Sequence, residues 1–178
     1  MSSPRGIRNN NPLNIRINGT KWEGLCPVQT DKSFFQFRTM AYGYRAAIKT
    51  IQTYFNKYGL KTIRRIIHRW APPCENDTEN YIRTVLLISG LGGMENLPQP
   101  SRKVDEERLV RLIGAMTCVE CGIRYKEVDW NAIRKGYELA FPGKRSYART
   151  KPVPQESTIN LTPDEIEDLL MWDEYRYW

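Results

Sequence analysis

Glu120 is the residue whose place in the sequence most clearly permits chemistry. The segment before it carries apolar residues at helical spacing on one stripe: Leu109, Leu112, Ile113 and Met116. Glu120 is the next residue on that stripe. A carboxylate there is destabilised unless it is protonated or paired, and the negative end of a helix adds to the cost. Both effects favour the neutral carboxyl that a general acid needs to protonate the leaving oxygen of a glycosidic bond. An exposed or arginine-paired Glu120 at the stripe's edge is the alternative.

The asparagine cluster from Asn9 to Asn14 is a second candidate region, with four carboxamides within six residues. Carboxamides both donate and accept hydrogen bonds. Asn10, Asn11 and Asn14 therefore suit a ligand made of hydroxyl and acetamido groups, as cell-wall sugars are. An asparagine-rich turn is the structural alternative, because asparagine tolerates left-handed backbone and forms Asx-turns.

Cysteine and histidine provide weaker candidates. Cys118 and Cys121 form a CxxC inside a predicted helix, and His68 is the single histidine. A zinc site that adds Cys74 and His68, or a nucleophilic pair of His68 with Cys26 or Cys74, stays open as an alternative. The sequence has no second CxxC and no Gly-rich phosphate loop, so we predict no metal site and no cofactor.

The charge of the chain is unevenly distributed. The 178 residues carry a net charge of +7, but residues 151–178 hold two basic and seven acidic residues, so residues 1–150 carry +12. Such a body attracts polyanions, among them cell walls and nucleic acids. Basic and aromatic residues interleave in Arg38–Arg45 and Arg64–Trp70. That pattern fits single-stranded nucleic acid, and it equally fits long side chains lying over a core.

Neither a membrane span nor an export signal is predicted. No apolar run approaches the thickness of a bilayer, and the first residues lack an apolar signal core. We expect synthesis in the cytoplasm, followed by delivery to the cell wall or incorporation in a virion.

The elements that must position these residues are predicted to be mostly α-helical (α+β). A small antiparallel β-hairpin is expected near the N-terminus, from Asn14–Arg16 and Phe34–Arg38. Residues 1–142 would form one domain, residues 143–160 a basic linker, and residues 161–178 an acidic tail with a short helix. Five helices are predicted between start and stop signals at Met40 and Gly59, Thr62 and Pro72, Asn76 and Gly90, Val104 and Gly122, and Asp129 and Pro142.

Several motifs together resemble the N-acetylglucosaminidase and flagellar-muramidase branch of the lysozyme-like superfamily. The motifs are NNNPLNIR (9–16), Trp22-x-Gly24, Phe35-x-Phe37, Gly43-x-Arg45-Ala46, and the segment from Trp70 to Tyr81. The last segment is similar to a Y-A-T-D-P-x-Y stretch whose tyrosine lines the substrate cleft. The pattern covers residues 5–141 and is most similar to small lysozyme-like proteins of phages and prophages, which are often described only as virion proteins.

The resemblance implies an enzyme that cleaves peptidoglycan glycan strands: a muramidase, a glucosaminidase or a lytic transglycosylase. Phage virion or secretion components would be its other partners. In the glucosaminidases the catalytic glutamate precedes the asparagine segment, whereas only eight residues precede Asn9 here. The sequence Glu120-Cys121-Gly122, however, looks like the end of the acid helix of lytic transglycosylases. A circular permutation would reconcile the two patterns.

The resemblance therefore makes Glu120 the predicted general acid, with Glu75 and Glu23 as alternates. The residues expected to bind substrate are Asn10, Asn11, Asn14, Trp22, Trp70 and Tyr81. Two other function classes stay open. One is a non-catalytic phage structural or wall-binding protein with a lysozyme-like fold, and the other is a basic nucleic-acid-binding domain.

Overall fold

A computed structural model describes residues 3–93, 97 and 106–143, all within one of two units of the chain, Met1–Arg145. The predicted linker beyond residue 143 and the predicted acidic tail lie outside the described residues. The described residues form a 3-10 turn at Tyr125–Glu127 and six α-helices: α1 (Arg5–Arg8), α2 (Met40–Tyr58), α3 (Ile63–Trp70), α4 (Thr78–Ser89), α5 (Glu106–Cys121) and α6 (Trp130–Ala140).

The predicted start and stop signals that fall on described residues are confirmed, with one shift, and the predicted start at Val104 lies outside the described residues. Thr62 and Asp129 cap α3 and α6 by accepting backbone N–H groups three residues further on. The glycines after α2 and α4 adopt the left-handed conformation that ends a helix. The cap of α4 is Asp77 and not Asn76, because the Asp77 carboxylate accepts the N–H of Asn80. The one-turn helix α1 was not predicted.

The predicted N-terminal β-hairpin is wrong. Among the described residues its arms meet only at two isolated antiparallel bridges, Arg16 with Phe34 and Leu25 with Phe37. The region around them is an irregular loop that crosses α1 and the start of α2.

Asparagine side chains explain why no β-ladder forms there. Asn10 and Asn14 have φ angles of 50° and 48°, which are incompatible with an extended strand. The Asn11 amide donates to the carbonyl oxygens of Ile15 at 3.0 Å and Phe35 at 2.9 Å, and its oxygen accepts the N–H of Ile15. The Asn11 side chain thus adds to two main-chain bonds between these segments, from Ile17 to Ser33 and from Phe35 to Ile15, and the pairing does not extend into a ladder.

Helix α5 is the centre of the described fold. All but one of residues 109–118 are buried, so the helix packs on every side and not along one stripe alone. Helix α2 lies along α6, while α4, α6 and the short α1 contact α5. Gly114 permits this close packing, since a Cβ there would lie 2.3 Å from the ring of Trp130. No helix in the described ranges is long and apolar enough to cross a membrane.

Candidate active site

Glu120 lies half-buried in the last turn of α5, where three other parts of the chain converge on its carboxyl group. The Tyr81 hydroxyl lies 2.9 Å from Oε1, and the Trp70 indole N–H donates to the same oxygen at 3.2 Å. The Asn14 amide donates to Oε2 at 3.0 Å. The structure thus brings together four residues that the sequence had singled out.

Each partner of Glu120 is positioned by its own element. Trp70 is the last residue of α3, and Tyr81 lies in α4 with only 2% of its surface exposed. Asn14 adopts left-handed backbone, which turns its amide toward the end of α5, where it also donates to the Glu120 main-chain oxygen at 3.1 Å. Glycine at position 6 lets α1 lie close to Asn14, because a Cβ there would lie only 3.0 Å from Asn14 Oδ1.

The chemistry of these partners suits a carboxyl group that changes its protonation state. The Trp70 indole and the Asn14 amide can only donate through the atoms they present, and they stabilise a carboxylate. The Tyr81 hydroxyl can donate to a carboxylate or accept from a protonated carboxyl. Burial and the helix end favour the neutral form, so the site contains opposing influences on one proton.

The two alternate acids lie in a different setting. Glu75 pairs with Arg16 at 3.1 Å, and Glu23 pairs with Arg45 at 2.6 Å. Their side chains are 55% and 56% exposed. Water solvates such exposed carboxylates well, so neither has the half-buried environment of Glu120.

The other residues predicted to bind substrate have roles within the fold. Asn11 is completely buried, so its carboxamide is not presented to a ligand, contrary to the prediction. Asn10 donates to the carbonyl of Phe37 at 3.0 Å. Trp22 packs half-buried against the core, and its indole N–H is buried without a hydrogen-bond partner. Among the asparagines of the cluster, Asn14 contacts Glu120.

The two cysteines of the CxxC are buried and make poor nucleophiles in this structure, whereas Cys74 is exposed and Cys26 partly so. Burial, with a contribution from the charge of Glu120, raises the pKa of Cys121 to about 12, and its Sγ lies 3.2 Å from the carbonyl of Pro12. Burial likewise raises the pKa of Cys118 to about 12. His68 contacts Glu79 at 3.2 Å. Within the described residues no group of histidine, cysteine, aspartate and glutamate side chains could hold a metal ion.

Asp31 is a structural residue that the sequence analysis missed. Its carboxylate accepts two bonds from Arg5 and one from Asn9, each at 2.7 Å, and also the N–H groups of Ser33 and Phe34. The Arg5 guanidinium holds the pKa of Asp31 well below its usual range. The Asp-x-Ser spacing typical of an Asx-turn is the signal that points to this role.

Comparison with known proteins gives one clear relationship. No protein-family model matches the sequence. Protein P5 of Pseudoalteromonas phage PM2 is 41% identical over 142 residues, which cover 78% of this chain and 83% of that protein. With this identity over most of both proteins, the chain belongs to the family of phage PM2 Protein P5.

Proposed function

We propose that this protein is a phage virion protein that cleaves the glycan strands of peptidoglycan, with Glu120 as its general acid. One observation carries the proposal: the half-buried Glu120 carboxyl meets the side chains of Asn14, Trp70 and Tyr81. These residues are far apart in the sequence, and the resemblance to lysozyme-like enzymes had assigned them all to one site.

The proposed reaction uses the opposing influences at Glu120. Burial favours the protonated carboxyl before reaction, and the proton passes to the glycosidic oxygen as the bond to the sugar breaks. The carboxylate left behind is then stabilised by Trp70 and Tyr81. A single acid suffices where a hydroxyl of the sugar itself attacks the anomeric carbon and closes an anhydro ring. The Glu120 carboxylate takes the proton of that hydroxyl and is thereby reprotonated, and no second carboxylate has to activate water. The reaction of a lytic transglycosylase therefore fits this site best.

Two further observations support the phage and lysozyme-like parts of the proposal. The relationship to a phage PM2 protein supports a role in a virion, whose genome must pass a bacterial wall. Asn14 and Glu120 are 106 residues apart in the chain and yet share a hydrogen bond. A circular permutation requires this neighbourhood, with the acid helix beside the asparagine segment although it follows in sequence.

A non-catalytic wall-binding protein is the second candidate, and the same contacts favour it in one respect. The three hydrogen bonds to Glu120 also join α3, α4 and the asparagine loop to the end of α5. A carboxylate kept for that purpose would be structural. Binding to the wall without release of soluble fragments would favour this candidate.

The test is the release of soluble muropeptides from purified peptidoglycan, analysed by mass spectrometry. The wild-type chain should release fragments with anhydro or reducing ends, and Glu120→Gln should lower the rate about 10²- to 10⁴-fold. Glu138→Gln on α6, where Glu138 pairs with Lys135, is the matched surface control and should keep the wild-type rate. Loss of activity in Glu75→Gln instead would move the acid to the alternate residue, and the assignment to Glu120 would be wrong.

A further inference from the structure

The outer face of α3 forms a basic groove next to the candidate active site. Leu60, Arg65, His68, Arg69 and Pro72 line this α3 groove, which is open to solvent and has a volume of about 510 Å³. Its α3 side chains follow one another by three and four residues, so they share the helix face opposite the buried isoleucines. The hydrogen bonds to Glu120 do not involve this face of α3.

Two arginines give the α3 groove its charge. Arg65 and Arg69 are both exposed, and neither forms an ion pair with a carboxylate of the described residues. The nearby Glu79 binds Arg64 at 2.6 Å and His68 at 3.2 Å. Glu79 is therefore paired with Arg64 and His68 and not with the groove arginines. The guanidinium N–H groups of Arg65 and Arg69 can donate to an anion from outside the protein.

Arg69 is already oriented for binding. Its guanidinium lies 3.7 Å from the ring centroid of Tyr58 and 5.2 Å from that of Tyr54. Stacking on an aromatic face leaves donors at the edge of the guanidinium plane, and a side chain held this way loses little further freedom on binding.

The α3 groove is linked to Glu120 by one residue. Trp70 follows Arg69 directly, and its indole N–H donates to the Glu120 carboxyl. Trp70 turns toward Glu120 and Arg69 toward the α3 groove, so a ligand that occupies both places needs a group for cleavage at Glu120 and an anionic branch that reaches the neighbouring face of α3. A glycan strand with short acidic peptides on its sugars has this form.

The same contacts argue against a nucleic acid in the α3 groove. Single-stranded nucleic acids need open aromatic faces on which bases stack. Arg69 covers the face of Tyr58, and Trp70 meets Tyr54 edge to face at 6.3 Å while its N–H points to Glu120. These aromatic surfaces are already occupied, whereas neither Arg65 nor Arg69 is paired with a carboxylate of the described residues.

We propose that the α3 groove binds the carboxylates of peptidoglycan stem peptides through Arg65 and Arg69. The inference rests on the proposed function, since it concerns the same substrate. It adds that the protein distinguishes walls with acidic stems from uncharged glycans such as chitin fragments.

The experiment measures calorimetric binding of the full chain to three soluble probes. They are the wall disaccharide GlcNAc-MurNAc with its stem peptide, the same compound with its carboxylates amidated, and the disaccharide without peptide and with its lactyl carboxylate amidated. The disaccharide lacks the MurNAc–GlcNAc bond that a lytic transglycosylase breaks, so binding is measured without turnover by that reaction. The Arg65→Gln/Arg69→Gln double variant should bind the first probe about tenfold more weakly and the other two as the wild type does.

Arg38→Gln is the matched control. Arg38 is also exposed and lies over a tyrosine ring, that of Tyr42 at 5.5 Å, but at the opposite end of α2, about 24 Å from Tyr58 along the helix. The Arg38→Gln variant should bind each of the three probes as tightly as the wild type does. Equal binding of the first probe by wild type and double variant would overturn the inference, as would the absence of wild-type binding. Selective loss of oligothymidylate binding in the double variant would overturn it in favour of nucleic acid.

The two proposals can fail separately. If the double variant loses stem binding but the wild type releases no muropeptides, the α3 groove stands and the cleavage proposal fails. If the wild type cleaves peptidoglycan and the double variant binds stems normally, the groove assignment fails and the cleavage proposal stands.

Discussion

Asp31 and Glu120 are two carboxylates that each collect several hydrogen bonds, and their partners differ in kind. Asp31 is bound by the Arg5 guanidinium through two bonds of 2.7 Å, and its side chain is only 9% exposed. Glu120 is held by a carboxamide, an indole and a phenol, which are neutral side chains. The first arrangement stabilises one charge state strongly, whereas the three neutral donors named for Glu120 stabilise a carboxylate more weakly than a guanidinium does.

On the proposed function, this comparison separates a structural use of a carboxyl group at Asp31 from a chemical use at Glu120. The guanidinium makes ionised Asp31 a fixed link between α1 and the loop of residues 31–36. Neutral donors orient Glu120 with a weaker bias toward the charged form. Substitution of the first residue should therefore affect stability, and substitution around the second should affect activity.

Replacing Asp31 should give the largest change in stability. Asp31→Asn removes the charge that Arg5 binds and places an amide NH2 group against the Arg5 and Asn9 donors that now bond to Oδ2, so we expect a loss of about 2–3 kcal/mol in the free energy of unfolding. Urea denaturation followed by circular dichroism measures it. The activity per folded molecule should stay near the wild-type value, and a large fall would show that the two carboxylates are not separated as described.

Changing a neutral partner of Glu120 should have an intermediate effect. Asn14→Ala removes one donor to Oε2, so we expect about a tenfold lower rate on peptidoglycan. Asn14→Asp should instead move the alkaline limb of the pH–rate profile upward, because a neighbouring carboxylate disfavours the charged form of Glu120 and keeps the general acid protonated to higher pH.

Asn10→Ala is the control for both Asn14 variants. Asn10 has nearly the same left-handed φ and therefore the same backbone cost, and its amide bonds to Phe37. If Asn10→Ala lowers the rate per folded molecule as much as Asn14→Ala does, the effect belongs to the loop backbone and not to the contact with Glu120.

Acid should produce the smallest and most gradual effect. The folded state holds the pKa of Asp31 well below its usual value, so its stabilising contribution is complete above about pH 4, near the pKa of an unfolded aspartate, and is lost as the pH falls further. The melting temperature should be constant between about pH 6 and 5 and should fall below pH 4. The difference in melting temperature between wild type and Asp31→Asn should shrink over the same range; a constant difference would contradict the role of ionised Asp31.

Much of the helical framework could be predicted from the sequence, because local signals determine where helices begin and end. Thr62, Asp129 and the glycines after α2 and α4 act within one turn of their own element. The position of Glu120 after a buried stretch of α5 was also visible in the periodicity. The complete burial of α5 was not, since it depends on α4 and α6 packing on both sides.

The N-terminal region could not be predicted in the same way. The β-prone residues around Phe35 favoured a hairpin, but left-handed asparagines and the buried Asn11 side chain keep the pairing from extending into a ladder. That outcome depends on contacts across more than twenty residues. Two interpretations of the asparagine cluster were predicted, a turn and a sugar-binding surface. The side chain of Asn11 bonds to the main chain, as in the first interpretation, whereas the side chain of Asn14 bonds to the Glu120 carboxyl.

The most direct test of the central claim is the initial rate of muropeptide release by Glu120→Gln, per folded molecule, relative to wild type. The substitution keeps the shape of the side chain and removes its transferable proton. We predict a rate at least about 100-fold below that of the wild type, with a melting temperature that changes little. Release at the wild-type rate by folded Glu120→Gln would contradict the assignment of Glu120 as the general acid.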